Sequence, residues 1–214
     1  MEEISLDSLL PRVFMREELP YSEIWRRKVV FRRGGRYLVD SASGGGKSSL
    51  AAFIIGSRND YEGTLKFDDR DASTLSIAEW QDVRRSHIAY LPQELSLFPE
   101  LSAFDNIRLK AEVSGMIDID RIEKWLQQLG ISDRRDFPAG KLSIGQQQRV
   151  ALIRSLCQPF DFILLDEPVS HLDEANNHIA AGIVEEEAER QGAGVITFSV
   201  GNPLLIHNPE KLNL

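Results

Sequence analysis

The stretch from Tyr37 to Ile55 constrains the fold more than any other. Tyr37-Leu38-Val39 is a short apolar strand that runs straight into Ser41-Ala42-Ser43-Gly44-Gly45-Gly46-Lys47-Ser48-Ser49. Leu50-Ala51-Ala52-Phe53-Ile54-Ile55 then reads as a helix too apolar all round to lie on a surface, ending at Gly56. Strand, glycine loop and buried helix in that order bring backbone N–H groups and a helix N-terminus to one point, which makes a phosphate cradle. Lys47 then reaches the β- and γ-phosphates, and the Ser48 hydroxyl binds Mg²⁺. The usual pattern is G-x-x-x-x-G-K-[ST], and Ser41 replaces its first glycine. The plainer alternative is a flexible glycine turn that happens to precede a lysine; the flanking strand and helix count against it.

Composition sets the outer limits. The chain has 214 residues and a formal net charge of −8, with a pI near 5.1, an ordinary globular balance that fits one domain. A compact chain of this length buries roughly 70% of its unfolded surface. A single cysteine, Cys157, allows no internal disulfide and no thiolate zinc cluster, which fits a reducing compartment. The acidic start and the short apolar runs imply neither an export signal nor a membrane span. The acidic balance also argues against a general polyanion binder, so no nucleic-acid partner is expected.

Val29-Val30-Phe31 and Tyr37-Leu38-Val39 read as two strands of a hairpin turning at Gly34-Gly35. Thr64 to Phe67 alternates like an edge strand, and Ile88 to Leu91 is a short strand stopped by Pro92. Helical periodicity at Ile119, Ile122, Trp125, Leu126 and Leu129, ending at Gly130, marks residues 94–142 as a helical lobe inserted between strands. Gln146 to Leu156 is a further helix, Asp161 to Leu165 a buried strand, Glu174 to Gln191 a long acidic helix stopped at Gly192, and Val195 to Thr197 another strand. Leu204 to Leu214 reads as a hairpin turning on Asn208-Pro209-Glu210.

Two more segments carry chemistry. Phe162-Ile163-Leu164-Leu165-Asp166-Glu167-Pro168 is an apolar strand that delivers two adjacent carboxylates. In phosphoryl transfer Asp166 holds Mg²⁺ and Glu167 polarises the attacking water; read alone, both merely cap the next segment. Leu142-Ser143-Ile144-Gly145-Gln146-Gln147-Gln148-Arg149 sets a serine and a glycine before a helix, a second anion site of the same physical kind or simply a capped helix start.

With these residues in view, almost the whole chain resembles the ATP-binding cassette ATPases. Their signature L-S-G-G-Q looks like Leu142 to Gln146 with one change, at Ile144. Gln93 matches the family's Q-loop glutamine, associated with Mg²⁺, attacking water and the transport partner. Ser170-His171-Leu172-Asp173 looks like the D-loop, with Asp173 as its aspartate. Phe14, 33 positions before Lys47, falls where the family often stacks an aromatic ring on adenine, although it is equally a core candidate, with Tyr21 as the other choice. Leu97 to Ser102 resembles the lipoprotein-release and macrolide-export type of small cassette. The family also ends the strand at Val195 with a histidine on the γ-phosphate. Here the stretch reads Thr197-Phe198-Ser199, and phenylalanine neither donates a hydrogen bond nor relays a proton. None of His87, His171, His178 and His207 lies at the end of that strand.

The resemblance implies an α/β fold of the P-loop NTPase type: a mixed central sheet with an antiparallel β subdomain, and residues 94–142 as a helical subdomain inserted in a single domain, 1–214. It implies Glu167, Lys47 and Gln93 as catalytic residues. Phe14, Ser43, Gly44, Gly45, Gly46, Lys47, Ser48, Ser49, Ser143, Gly145, Gln146 and Asp173 would bind ATP, and Ser48, Gln93 and Asp166 would hold Mg²⁺. The phosphate loop of one subunit faces the signature loop of another in this family, so ATP is clamped between two copies. A cytoplasmic ATPase is implied, peripheral to the membrane through a separate transmembrane subunit. The runner-up is a hydrolysis-impaired cassette, with Phe198 at the switch position, acting as a regulatory or heterodimer partner. A DNA-associated or soluble translation cassette is disfavoured by the lack of a long coiled coil and of a second cassette.

Overall fold

A computed structural model of the chain describes residues 1–16, 21–42 and 44–214. β1 (Glu3–Pro11) buries Ile4 and Leu6 on one face, and β2 (Lys28–Arg32) buries Val29 and Phe31, both with the period of two of a half-covered sheet. β1 lies in the middle of a four-stranded antiparallel sheet, which the acidic start of the chain did not announce. Gly34, at φ +75°, turns the chain out of this sheet, and β3 (Arg36–Asp40) enters another. The expected hairpin therefore does not form. The reason lies in the side chains: β3 buries Tyr37, Leu38 and Val39 in succession, so it needs cover on both faces and suits the interior of a parallel sheet.

α1 (Lys47–Ile54) follows the glycine loop with five of its residues buried. β4 (Tyr61–Phe67) returns to the antiparallel sheet beside β1, and the two-residue β5 (Arg70–Asp71) covers only the end of its outer side. α2 (Ile77–Asp82) starts on a reciprocal cap, in which Ser76 accepts from the Glu79 N–H and Glu79 accepts from the Ser76 N–H. β6 (Ile88–Leu91) then forms one edge of the parallel sheet.

Between β6 and the next strand lie α3 (Ala103–Ser114) and α4 (Ile119–Gln128), with Ile122, Trp125 and Leu126 inward and Gly130 at φ +63° after the end of α4. Both pack on α5 (Ile144–Leu156). β7 (Phe162–Asp166), α6 (Glu174–Gln191), β8 (Gly194–Ser199) and β9 (Glu210–Asn213) complete the chain, giving the strand order β6-β7-β8-β3-β9, parallel throughout. Alternation along the inner strands splits the core. Ile163, Leu165 and Val195 join α5, α6 and the helical region, while Phe162, Leu164, Ile196 and Phe198 join α1 and the antiparallel sheet.

The expected C-terminal hairpin is a single strand. Residues 203–207 spend their backbone groups on α6 instead: Asn177 donates to the Pro203 carbonyl and accepts from the Leu205 N–H, and Glu185 accepts from the His207 N–H. Leu204 and Ile206 are buried, which leaves β9 alone to pair with β3. Among the described residues no helix is long and apolar enough to cross a membrane.

Candidate functional site

The register of β3 on β8 carries the loop to the carboxyl end of the sheet, where open α/β sheets place their ligands. Asp40 lies beside Ser199, and the Ser41 N–H donates to the Ser199 carbonyl at 3.3 Å. Gly44 at φ +86° and Gly46 at φ +96° take left-handed backbone that a side chain would strain. Gly46 is the N-cap of α1 and supplies no side-chain cap, so the first amides of the helix are left for a ligand. Lys47 is buried, and its ammonium donates to Ser41 Oγ at 3.3 Å. The residue that departs from the glycine pattern thus touches the loop's own lysine. Ser43 lies outside the described residues.

A cavity of about 290 Å³ opens over the loop, lined by Gly44, Gly46, Lys47, Ser48 and Ser49 on one side and by Phe14, Gln93, Glu167 and Val200 on the other. Of the two aromatic candidates only Phe14 reaches it. Tyr21 lines a separate hollow with Arg27 and Lys28, where the Arg27 guanidinium lies 6.0 Å from its ring. A larger hollow of about 500 Å³ includes Arg12 and Arg58, but Glu62 and Asp60 already pair with those arginines.

Asp166 ends β7, 2% exposed, and neither carboxylate oxygen has a hydrogen-bond partner of normal geometry. Burial raises its pKa, more than the nearby Ser48 hydroxyl and Lys47 ammonium lower it. Glu167 holds φ +51°, a strained value for a residue with a side chain, fixed by its N–H donating to the Phe198 carbonyl at 3.0 Å. Burial raises the Glu167 pKa as well; Lys47 and the Val200 backbone amide oppose this, and the charges of Asp166 and Asp40 add to it.

Phe198 is not at the site. It is fully buried between the registers of Asp166 and Val39, in the core against α1. β8 continues through the buried Ser199, and the residue that emerges beside Glu167 is Val200. Placing the switch position at Phe198 is therefore two residues early, because the strand runs further than its β-branched part.

Ser143, Gly145, Gln146 and Asp173 form a second, separate surface. Ser143 caps α5, accepting from the Gln146 N–H, while Gln146 accepts from the Ser143 N–H. Ile144 stands half-exposed beside it. A Cβ on Gly145 would lie 2.8 Å from the His171 carbonyl, so this close approach requires glycine. Asp173 caps α6 by accepting from the Asn176 N–H at 2.8 Å. None of these four residues lines the Lys47 cavity.

Three supporting residues carry little signal in the sequence. Gln148, buried on α5, donates to the Glu167 carbonyl at 2.8 Å and to Ser170, and accepts from the His171 N–H. Arg154 donates to the carbonyls of Leu95 and Ser96, which both sit at positive φ just after Gln93. Trp25 donates from Nε1 to the Gly45 carbonyl at 3.0 Å. A buried glutamine among the apolar residues of α5 is the one faint clue that sequence offers for any of them.

The sequence profile of the family described as "ABC transporter" matches residues 28–170. The macrolide export ATP-binding/permease protein MacB 1 of Aeromonas hydrophila is 35% identical over 155 residues, 71% of this chain and 24% of that protein. The probable syringafactin export ATP-binding/permease protein SyfD of Pseudomonas syringae is 33% identical over 151 residues, 69% of this chain and 23% of that protein. The chain thus spans about a quarter of the length of these curated relatives. Among solved structures, the dimeric bacterial ABC transporter cassette MJ0796 superposes with a TM-score of 0.78 at 25% identity, over 92% of this chain and 87% of its own. A post-hydrolysis dimer of the same cassette, bound to ADP and Pi, gives 0.76 at 25% identity, over 93% and 88%. With the loop, the two carboxylates and the capped signature helix in these positions, the chain belongs to the ABC transporter family, as an ATP-binding cassette.

Proposed function

We propose that this chain binds and hydrolyses ATP to power a membrane transporter, with two cassettes closing on the nucleotide. The observation that carries the reading is Asp166: a buried carboxylate whose oxygens make no hydrogen bond of normal geometry, near Ser48 and Lys47, is what a site for a hard cation requires. Ser48, Asp166 and Gln93 would hold Mg²⁺, which would supply positive charge to offset that of the phosphates. Phe14 stacks on the base. Gly44, Gly45, Gly46 and Ser49 wrap the phosphates, with Ser43 assigned to the same loop from the sequence alone, and Lys47 leaves Ser41 to meet the β- and γ-oxygens. Glu167 takes the proton of the attacking water, oriented by Gln93.

Ser143, Gly145, Gln146 and Asp173 do not line this cavity and serve instead the cavity of a second copy; the dimeric MJ0796 cassettes support this arrangement. Residues 94–142 act as a helical lobe within one unit, 1–214, and pass the closing motion on through α5, on which α3 and α4 pack. The relatives' names join ATP-binding to permease and macrolide or syringafactin export. On that footing the receiver is a transmembrane subunit, and the cassette works at the cytoplasmic face of its membrane.

Steady-state Mg-ATP hydrolysis tests the reading, with Glu167→Gln as the blank. Turnover in the parent and a loss of about 100-fold or more in Glu167→Gln, with ATP binding kept, is the expected result. Equal release of phosphate by both proteins overturns the assignment of Glu167.

A further inference from the structure

We propose that Trp25 is a positioning residue for the phosphate loop: its indole N–H holds the Gly45 carbonyl and thereby turns the Gly46 N–H toward the cavity. The proposal rests on the reading of that loop as a nucleotide cradle. Trp25 is 4% exposed, and its Nε1 donates to the Gly45 carbonyl at 3.0 Å. A trans peptide carries its C=O and N–H on opposite sides of one plane. Fixing the Gly45 oxygen against the indole therefore points the Gly46 N–H the other way, and Gly46 lines the cavity.

The ring itself sets a second constraint. A Cβ on Gly46 would lie 2.9 Å from Cζ2 of Trp25 and 3.0 Å from Cε2 of Phe14. The helix cap, at φ +96°, is thus backed by two aromatic rings from outside the loop. Trp25 is anchored in turn, because Ser22 Oγ accepts from the N–H groups of Ile24 at 3.1 Å and Trp25 at 2.9 Å. Within the loop, Ser41 does not take this part; its hydroxyl donates to the Ala42 carbonyl and accepts from Lys47.

Calorimetric titration of Mg-ATP into the full chain and into Trp25→Phe tests this, since phenylalanine keeps a ring and loses the donor. The expected result is a Kd raised about tenfold, from one part-buried carbonyl that loses its donor, at unchanged stoichiometry. A merely structural role would lower the competent fraction, and so the stoichiometry, without moving Kd. Parental Kd in folded Trp25→Phe overturns the proposal. A second measurement needs no change at Trp25. Of the chain's three tryptophans, the indole N–H resonance of Trp25 is the one retained when Trp80→Phe and Trp125→Phe are combined. It should shift when Mg-ATP is added, and a resonance that stays put overturns the proposal even where Trp25→Phe does not fold. A parent that binds no Mg-ATP overturns the nucleotide reading, and this proposal with it.

Discussion

The Gln148 side chain donates to the backbone carbonyl of Glu167 at 2.8 Å, joining the helix that Ser143 caps to the carboxylate at the end of β7. The oxygen of that side-chain amide accepts from the His171 N–H, so one glutamine ties α5, the strained Glu167 and the turn before α6. Gln148→Leu leaves the part-buried His171 N–H without its partner and the Glu167 carbonyl with only the longer bonds from Ser170, at a cost of about 1–3 kcal/mol. The expected outcome is a lower Tm and a turnover reduced at least about tenfold, because a Glu167 displaced by a fraction of an ångström loses its reach. Mg-ATP affinity should stay within about threefold, since Gln148 does not line the cavity. Calorimetry and a phosphate-release assay separate the two effects.

Val200 and Phe198 make a paired test of the switch position. Val200→His sets an imidazole beside Glu167 at the mouth of the cavity and should raise turnover if the parent is slow, with little change in Tm. Phe198→His instead puts a polar ring into a fully buried site against α1 and loses packing worth about 3–5 kcal/mol. That variant should unfold at lower temperature and gain no activity. Thermal melts beside single-turnover rates decide the matter, and a gain in Phe198→His with none in Val200→His would contradict the register of β8.

Asp166 exchanges stability for function. Its folded pKa is raised by burial, so its protonated form is the one the fold prefers, and that preference is lost as pH rises through the folded pKa. Asp166→Asn imitates the protonated form and should stabilise the nucleotide-free protein at pH 7.5 by about 1–3 kcal/mol, or about 2–4 °C per kcal/mol. The gain should fade as pH falls toward about 4, the range of an unfolded aspartate. Melting curves across that range, without nucleotide, provide the check.

Glu167 predicts a pH–rate profile. Burial raises its pKa first, Lys47 opposes, and the charge of Asp166 adds to the rise. A base must be ionised, so kcat should fall on the acid side at a pH above about 4.3, the ordinary glutamate value. Asp40 contributes the smallest of the raising effects, and Asp40→Asn should move the acid limb to lower pH. An acid limb that stays fixed in this variant would place the titrating group elsewhere.

Much of this was legible because it rests on local chemistry. The apolar run ending in Asp166-Glu167 is read directly as a buried strand, and α6 spans Glu174–Gln191 as its terminal Gly192 requires. What failed were relations between distant segments. Nothing near Gly34 and Gly35 says that β2 pairs with β1 while β3 pairs with β8 and β9. β1 escaped because Glu3, Ser5 and Asp7 alternate with Ile4 and Leu6 in too short a run to weigh against the charge. The two-residue error at Phe198 has the same origin, since the depth of β8 is set by its partners β7 and β3 and not by its own residues.

The cavity has its two rims on different sheets. Phe14 follows β1 of the antiparallel sheet, and the glycine loop follows β3 of the parallel one. A nucleotide lying from one rim to the other is therefore a rivet between the sheets, and its binding free energy is added to their cohesion. Occupancy then sets how cooperative the molecule is. Emptied, the antiparallel layer can open ahead of the rest; filled, both layers give way together, so hydrogen exchange in β1 and β4 becomes a distant gauge of what sits at Lys47.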